Sequence, residues 1–338
     1  MNIKIGNKII NEHSNFFIIE EGQANWGDFN KALKMIDTAV EAGGDAIEFQ
    51  FAIPNDFYIK THPYIDVYKK NQFQLDKMIE IVDYCKNKGI EIIVTPFSHN
   101  LVSPLTKAGC SAFNINASDI NNPEILDAVA ESGLPFFLSL PLAKEKEIEW
   151  AINRLESKKK NDFILLHGQH TMASGENGVA IEHTSLGYIK TLKEKYNKIV
   201  GFIDHSPFVW TPSLALVSGA NVISKHLCIS RNEKGPDWHI CLEPNEMKDC
   251  INQFRNTEFS INVKEKVLAP GENIDRSIMR RSIVAAKKIH KNQIISREDI
   301  TFKRPGDGIP PSEFTRIINK MALKDINEDE KITYNDLK

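Results

Sequence analysis

Eight short apolar runs, separated by helical patterns or long loops, are the feature that most constrains the fold of this chain. The intervening segment 30–42 carries apolar residues at helical spacing before Gly43-Gly44, and 75–88 repeats the pattern before Gly89. Strands that alternate with helices of this length pair in parallel through right-handed crossovers. The pattern therefore predicts a (β/α)8 TIM barrel. Its strands are predicted at 16–19, 46–51, 91–94, 112–115, 136–140, 163–166, 198–203 and 222–224.

The main alternative is a doubly wound open sheet, but no glycine-rich phosphate turn follows the first strand. Apolar residues on both sides of Gly6-Asn7 predict an N-terminal β-hairpin that closes the bottom of the barrel. Beyond the barrel the sequence turns polar, with Pro270-Gly271 as a break. We therefore expect a barrel domain at 1–258, a linker at 259–275 and a small β-rich domain at 276–338.

Composition favours small-molecule chemistry. The chain is 41% hydrophobic and 26% charged with a formal net charge of −3, so nothing in its charge points to nucleic acid or a membrane surface as a partner. The five cysteines are widely spaced and form no CxxC pair, which indicates reduced thiols rather than a disulfide framework. No apolar stretch has the length of a membrane span or a signal-peptide core, so we expect a cytoplasmic protein.

Two histidines stand at the ends of the last two predicted strands, His205 after 198–203 and His226 after 222–224. In an α/β barrel the C-terminal strand ends face the active site, so these imidazoles are expected side by side. A single histidine is more often a packed or surface residue, but two at successive strand ends favour a pair of metal ligands. Such a pair leaves open positions on the metal for a substrate.

Several motifs occur in a combination specific to one enzyme family. They are Thr95-Pro96-Phe97, Asp204-His205, Lys225-His226, Gly235-Pro236-Asp237 followed by Leu242-Glu243-Pro244, Arg280-Arg281-Ser282, and KRPGDGIPP at 303–311. In these motifs the chain resembles the sialic acid synthase family over nearly its whole length. The resemblance implies a TIM barrel followed by a β-rich antifreeze-like (SAF) domain of the β-clip type.

The resemblance also implies a reaction. Family members condense phosphoenolpyruvate with an N-acetylated sugar aldehyde to form a nonulosonic acid, and release phosphate. A divalent metal, held at the positions of His205 and His226, polarises the aldehyde; Mn²⁺ or Mg²⁺ suits a site otherwise filled by oxygen ligands. Glu20, at the end of the first strand, matches a candidate acid/base, although a solvated strand-end carboxylate is the alternative.

Further residues match family positions around this metal. Gln50 matches a glutamine beside the metal, and Asp237 matches a residue close to the sugar. Thr95 and Ser139 match contacts to phosphoenolpyruvate, with a role as strand-end caps as the alternative. In the small domain Arg281, or its neighbour Arg280, matches an arginine that reaches the active site of the partner subunit, which implies a domain-swapped homodimer.

The chain departs from the family pattern mainly where phosphoenolpyruvate binds. Two lysines that neutralise this anion in the family are replaced by Glu48 and Asn114, a change of about three charges that opposes binding of a multiply charged anion. A catalytic glutamate before the second metal histidine is replaced by Ser224. The remaining departures are Asn25 for a histidine, Ala117 for a serine, Asp119 for a glutamate, and Leu140-Pro141-Leu142 for Thr-Gly-Met.

Three hypotheses remain open at the level of sequence. The first is a divergent synthase that still condenses phosphoenolpyruvate with a sugar aldehyde. The second is a metal-dependent aldolase- or lyase-like enzyme with a less anionic substrate, suggested by Glu48 and Asn114. The third is a non-catalytic homologue that keeps the fold and the dimer. The sequence does not name the sugar, because that choice depends on a few loop contacts.

Overall fold

The computed structural model describes residues 2–158, 162–171, 177–263 and 265–338. The chain divides into two compact units, Met1–Asn262 and Val263–Lys338. The division falls inside the predicted linker 259–275. Each unit has its own hydrophobic core, so each is described separately.

The first unit is a closed barrel of parallel strands, preceded by a β-hairpin. The hairpin consists of β1 (Ile3–Ile5) and β2 (Lys8–Ile10). The barrel strands are β3 (Phe16–Glu20), β4 (Ala46–Phe51), β5 (Glu91–Pro96), β6 (Ala112–Ile115), β7 (Phe136–Ser139), β8 (Phe163–His167), β9 (Val200–Asp204) and β10 (Val222–His226). β10 pairs with β3, which closes the sheet and confirms the predicted barrel. The seventh strand begins at Val200, two residues later than predicted.

Helices connect the barrel strands. They are α1 (Phe29–Ala42), α2 (Pro54–Phe57), α3 (Ile65–Asn71), α4 (Leu75–Lys88), α5 (Val102–Ala108), α6 (Pro123–Glu131), α7 (Glu145–Lys158), α8 (Tyr188–Tyr196), α9 (Thr211–Val217) and α10 (Pro244–Ile261). The predicted helix ends follow local chemistry. The Asp28 side chain caps α1 by accepting a hydrogen bond from Lys31 N, and Gly43 ends it in the left-handed conformation at φ 85°.

The barrel interior has an apolar floor and a polar top. Alternate residues of a strand point inward, and the lower inward positions form one buried cluster with the hairpin. That cluster includes Ile3, Ile5, Ile10, Ile18, Ala46, Ile93, Ala112, Phe137 and Val222. Two residues further along the same strands, the inward positions become polar: Glu20, Glu48, Thr95, Asn114, Ser139 and Ser224. The barrel is therefore packed shut below and carries its chemistry at the C-terminal strand ends.

The second unit is β-rich. It contains α11 (Glu272–Met279) and an antiparallel pair, β11 (Ser282–Ala285) with β12 (Ile300–Lys303), in which Ser282 lies opposite Lys303. Its core is a cluster of isoleucines, among them Ile283, Ile300 and Ile326. Among the described residues of the whole chain, no helix has the length and apolar character needed to cross a membrane.

Candidate active site

The strand ends gather the predicted site residues of the barrel in one buried layer. Register places Glu20 opposite Glu48 on one side and opposite His226 on the other. Gln50 on β4 lies opposite Thr95 on β5. Glu20, Glu48, Thr95 and His226 are each at most 2% exposed. The polar top of the barrel is therefore shielded from bulk water. Electrostatic interactions are stronger in this buried layer than they would be in water.

Glu20 is the centre of the group nearest the two predicted metal ligands. Its Oε1 lies 3.3 Å from Nε2 of His226 and accepts a hydrogen bond of 2.9 Å from Gln50 Nε2. Its Oε2 accepts a hydrogen bond of 3.2 Å from Ser224 Oγ. Asp237 Oδ2 lies 4.0 Å from the same histidine nitrogen. The structure thus brings the three predicted residues Glu20, Gln50 and Asp237 to His226.

The two histidine rings lie side by side, with centroids 5.3 Å apart. Nδ1 of His205 is 2.7 Å from the carbonyl oxygen of Gln169, so this nitrogen carries the proton and Nε2 keeps its lone pair. Burial lowers the pKa of both imidazoles, that of His226 to about 4. Neutral imidazoles with a free nitrogen fit a divalent metal.

The protein supplies few ligands beyond these two rings. No group of three or more His, Cys, Asp or Glu side chains arranged to hold a metal occurs among the described residues. His170 contributes a further ring, 5.1 Å from that of His205. The donor set therefore fits only a metal that keeps several positions for water or substrate oxygens.

Gly22 lets the chain leave β3 directly over the site. It adopts φ 55°, and a Cβ atom there would lie 2.6 Å from Cδ2 of His226. A side chain at this position would displace the imidazole, so the close approach requires glycine.

A second network surrounds Glu48, the residue that stands where a lysine is expected. Its Oε1 accepts hydrogen bonds from Thr95 Oγ1 at 2.6 Å and Asn114 Nδ2 at 2.7 Å. The Asn114 Oδ1 in turn accepts one from Ser139 Oγ at 3.0 Å. Oε2 of Glu48 is buried and has no hydrogen-bond partner. Four residues predicted to bind substrate therefore form one connected network.

The carboxyl of Glu48 is held in its neutral form. Burial, together with the neighbouring Glu20, raises the pKa of Glu48 to about 8, although hydrogen bonds from Thr95 and Asn114 lower it. Among the described residues, no lysine or arginine forms an ion pair with Glu48. A neutral acid with Oε1 accepting twice carries its proton on Oε2, which leaves one hydrogen-bond donor unused.

Two features of the site were not predicted from sequence. Lys225 and Asp204 form a fully buried ion pair, 2.9 Å between Nζ and Oδ2, and Lys225 also donates to the Ser206 carbonyl. This pair joins the strand ends that carry the two histidines.

Ser224 was expected only as a replacement of a family glutamate, but its hydroxyl donates a hydrogen bond to Glu20. Period-two alternation gives a signal for it, since Ser224 and His226 must face the same side of β10.

Three predicted residues lie outside these networks. Asp119 accepts hydrogen bonds from Asn122 Nδ2 at 2.9 Å and Ser118 Oγ at 3.1 Å, which stabilise the turn after β6. Arg280 and Arg281 belong to the second unit, where they line a cavity together with Arg276. Their contribution to a partner's active site remains a prediction.

Comparisons with known proteins cover nearly the whole chain. The model of the NeuB family matches residues 35–266, and that of the SAF domain matches 280–338. A Methanocaldococcus jannaschii protein is 34% identical over 99% of this chain and 98% of its own length. The N,N'-diacetyllegionaminic acid synthase of Campylobacter jejuni is 30% identical over 93% of this chain and 98% of that enzyme.

One solved structure also has 30% sequence identity to this chain. The N-acetylneuraminic acid synthetase of Leptospira borgpetersenii, determined with citrate, has a TM-score of 0.74 and 30% identity. The match covers 81% of this chain and 95% of that one.

Proposed function

Because this chain belongs to the NeuB family of sialic acid synthases, we propose that it condenses phosphoenolpyruvate with an N-acetylated or related sugar aldehyde to a nonulosonic acid. The family membership rests on the match of the NeuB model to residues 35–266, which is more than half of the chain. The SAF domain model matches residues 280–338 in addition. Relatives that match almost end to end include synthases of legionaminic and pseudaminic acid. Their shared product class supports a synthase.

The proposed reaction forms one carbon–carbon bond. The methylene carbon of phosphoenolpyruvate attacks the aldehyde carbon, and the aldehyde oxygen takes up a proton. Water adds to the former enol carbon, and phosphate leaves as the C–O bond to it breaks, which yields the 2-oxo acid. The protein must therefore protonate one oxygen, hold an anionic donor and admit one water.

The single observation that carries the proposal is the placement of Glu20 at the buried strand ends, where its Oε1 lies 3.3 Å from His226 Nε2 and its carboxyl accepts hydrogen bonds from Gln50 and Ser224. Burial raises the pKa of this carboxyl to about 8, against the effect of the hydrogen bonds from Ser224 and Gln50. A carboxyl that is protonated near neutral pH can donate its proton to the developing alkoxide. His205 and His226 would hold a divalent ion, Mn²⁺ or Mg²⁺, which supplies Lewis-acid polarisation of a carbonyl when bound.

On the donor side, Glu48 would serve as a neutral hydrogen-bond donor. Its unpartnered Oε2 offers the proton that a lysine would otherwise offer, but without the positive charge. Phosphoenolpyruvate binding through this group would be weaker than binding through a lysine, and would require the carboxyl to be protonated.

The same network favours a second candidate function. Phosphoenolpyruvate carries several negative charges, and an anion is costly to bury without a cation. A metal-dependent aldolase- or lyase-like enzyme with a less anionic substrate would meet Glu48 and Asn114 at lower cost. This candidate requires metal binding through His205 and His226 and no phosphate chemistry.

Incubation with labelled phosphoenolpyruvate separates the two candidates. The protein is mixed with Mn²⁺, N-acetylated hexosamines and phosphoenolpyruvate labelled with ¹³C at its methylene carbon. Mass spectrometry then determines the masses of the products. The synthase gives a nonulosonic acid that contains the label; Glu20→Gln should lower its yield at least ~100-fold, whereas the exposed Glu41→Gln should not. An unlabelled aldol product, or micromolar metal affinity without detectable phosphoenolpyruvate binding, would favour the second candidate.

We further propose that the protein works in the cytoplasm as a homodimer in which Arg281 or Arg280 reaches the partner's barrel. The resemblance to the synthase family supports this assembly, and the exposure of both arginines allows it. Sedimentation analysis should give twice the mass of the 38.3 kDa chain, and a monomeric mass for an active preparation would contradict the dimer.

A further inference from the structure

The network around Glu48 leaves one carboxyl oxygen unused inside the barrel. Glu48 is 0% exposed, and its Oε1 accepts hydrogen bonds from Thr95 and Asn114, whereas its Oε2 is buried and has no partner among the described residues. Buried polar atoms are almost always paired in native proteins. The unpartnered Oε2 therefore indicates a bound group or ion that completes the site.

Oxygen atoms surround this carboxyl. The hydroxyls of Thr95 and Ser139 and the side-chain amide of Asn114 belong to the same network, and Glu20 stands opposite Glu48 in the strand register. Oxygen ligands suit a hard divalent cation. Mg²⁺ in particular often binds through one or two carboxylates together with the phosphate of a substrate. The chemistry of the network therefore fits such an ion.

The network is separate from the pair of histidines. Strand register places Glu20 between His226 on β10 and Glu48 on β4. The carboxyl of Glu20 is committed to the histidine side, where its Oε1 lies 3.3 Å from His226 Nε2 and accepts a hydrogen bond from Gln50. A cation at Glu48 would therefore be a second ion, additional to the one that we assign to His205 and His226.

A divalent cation would also correct the charge on the donor side of the site. The resemblance to the synthase family implies lysines at the positions of Glu48 and Asn114, and this chain has neither. An ionised Glu48 together with a divalent cation leaves one positive charge, whereas a proton or a monovalent cation on Glu48 leaves none. Only the divalent ion would both neutralise the carboxylate and attract a phosphate.

The reach of the side chain agrees with this exchange. The nitrogen of a lysine is five bonds from its Cα, and a carboxylate oxygen of a glutamate is four bonds away. An ion bound to Glu48 Oε2 at about 2.1 Å adds the fifth link. The cation would therefore stand near the place of the ammonium group that it replaces.

We propose that Glu48 holds a second divalent cation, Mg²⁺ or Mn²⁺, which links its Oε2 to the phosphate group of phosphoenolpyruvate. The carboxyl proton leaves to solvent when the cation binds, so the proton and the cation are alternatives at one oxygen. Among the described residues no group of three or more His, Cys, Asp or Glu is arranged to hold a metal, so the ion depends on the anion for further ligands. Identification of that anion as phosphoenolpyruvate rests on the proposed function.

The number of bound metal ions with and without phosphoenolpyruvate tests this assignment. Full-length wild-type protein and Glu48→Gln are titrated with Mn²⁺, free Mn²⁺ is followed by electron paramagnetic resonance, and a titration of phosphoenolpyruvate alone is subtracted. We expect the wild type to bind one ion per chain without phosphoenolpyruvate and two with it, and Glu48→Gln to bind one under both conditions. The exposed Glu41→Gln is the matched control and should follow the wild type.

A lysine variant separates the charge from the ion. Glu48→Lys supplies a positive charge directly, so it should bind phosphoenolpyruvate at least about 10-fold more tightly than Glu48→Gln while binding only one Mn²⁺. Thermal melts check that each variant is folded.

Two results would overturn the assignment and leave the proposed function standing. They are a wild-type protein that binds phosphoenolpyruvate with a single ion per chain, and a second ion that persists in Glu48→Gln. An absence of phosphoenolpyruvate binding at every Mn²⁺ concentration would instead contradict the proposed function, and the second ion with it.

Discussion

The amide of Asn114 donates a hydrogen bond of 2.7 Å to the carboxyl of Glu48 inside the barrel. These are the two residues that stand where the resemblance implies lysines. Glu48 alone would bury a carboxyl among strand ends, whereas with Asn114 and Thr95 its Oε1 is fully satisfied. The two residues are thus coupled in one hydrogen-bonded network, which carries no positive charge at the two positions where the resemblance implies cations.

The neutrality of Glu48 predicts a pH dependence of stability. Its pKa in the folded protein is about 8, against 4.5 for a glutamate in an unfolded chain, so the unfolded chain releases this proton first and stability falls as pH rises between those values. Glu20 faces Glu48 from β3, and burial raises the pKa of Glu20 to about 8 as well. Glu48→Gln should therefore stabilise the protein by about 3 kcal/mol at pH 7 and by little near pH 5.

Urea unfolding of both proteins at several pH values measures this difference. The exposed Glu41→Gln is the control, and it should follow the wild type at every pH. A constant difference between Glu48→Gln and the wild type from pH 5 to pH 8 would show that Glu48 is ionised in the folded state.

Much of this architecture follows from sequence, because barrel strands and helices carry local patterns. The eight apolar runs located every barrel strand, and the position of His205 and His226 at successive strand ends predicted that they lie side by side. Glu20, Gln50 and Thr95 were expected in the site only through the resemblance to the synthase family. The contact of Glu48 with Asn114 joins residues 66 positions apart, and nothing local in the sequence specifies it. The sequence also did not predict that the buried amide of Asn71 has no hydrogen-bond partner among the described residues, since a missing partner is a property of three-dimensional packing.

Restoring positive charge should restore anion binding if Glu48 and Asn114 face phosphoenolpyruvate. We expect the double variant Glu48→Lys, Asn114→Lys to bind phosphoenolpyruvate at least about 10-fold more tightly than the wild type. Calorimetric titration measures the affinity, and a thermal melt checks that the variant is folded. Unchanged affinity in a folded double variant would mean that the anion does not reach this network.

Removal of either central histidine should remove the metal. His205→Ala and His226→Ala are each expected to weaken Mn²⁺ binding by roughly 100-fold, because each removes one of the two imidazoles assigned as metal ligands. Electron paramagnetic resonance of free Mn²⁺ reports the binding, and the exposed His13→Ala is the matched control. Wild-type affinity in both central variants would place the metal elsewhere.

The buried pair of Lys225 and Asp204 predicts a stability effect with a specific rescue. Lys225→Met leaves the Asp204 carboxylate without its partner, and should cost about 3–5 kcal/mol in the free energy of unfolding. Adding Asp204→Leu removes that buried charge and should recover part of the loss. Denaturant unfolding measures both variants, and an equal loss in the single and double variants would argue against an uncompensated charge.

Release of inorganic phosphate decides whether the protein is a phosphoenolpyruvate-dependent synthase. The wild-type protein is assayed with Mn²⁺, phosphoenolpyruvate and a panel of N-acetylated sugars, and each component is omitted in turn. We expect phosphate release that requires all three components and equals the amount of sugar consumed. Sugar and metal binding without phosphate release for any member of the panel would contradict it.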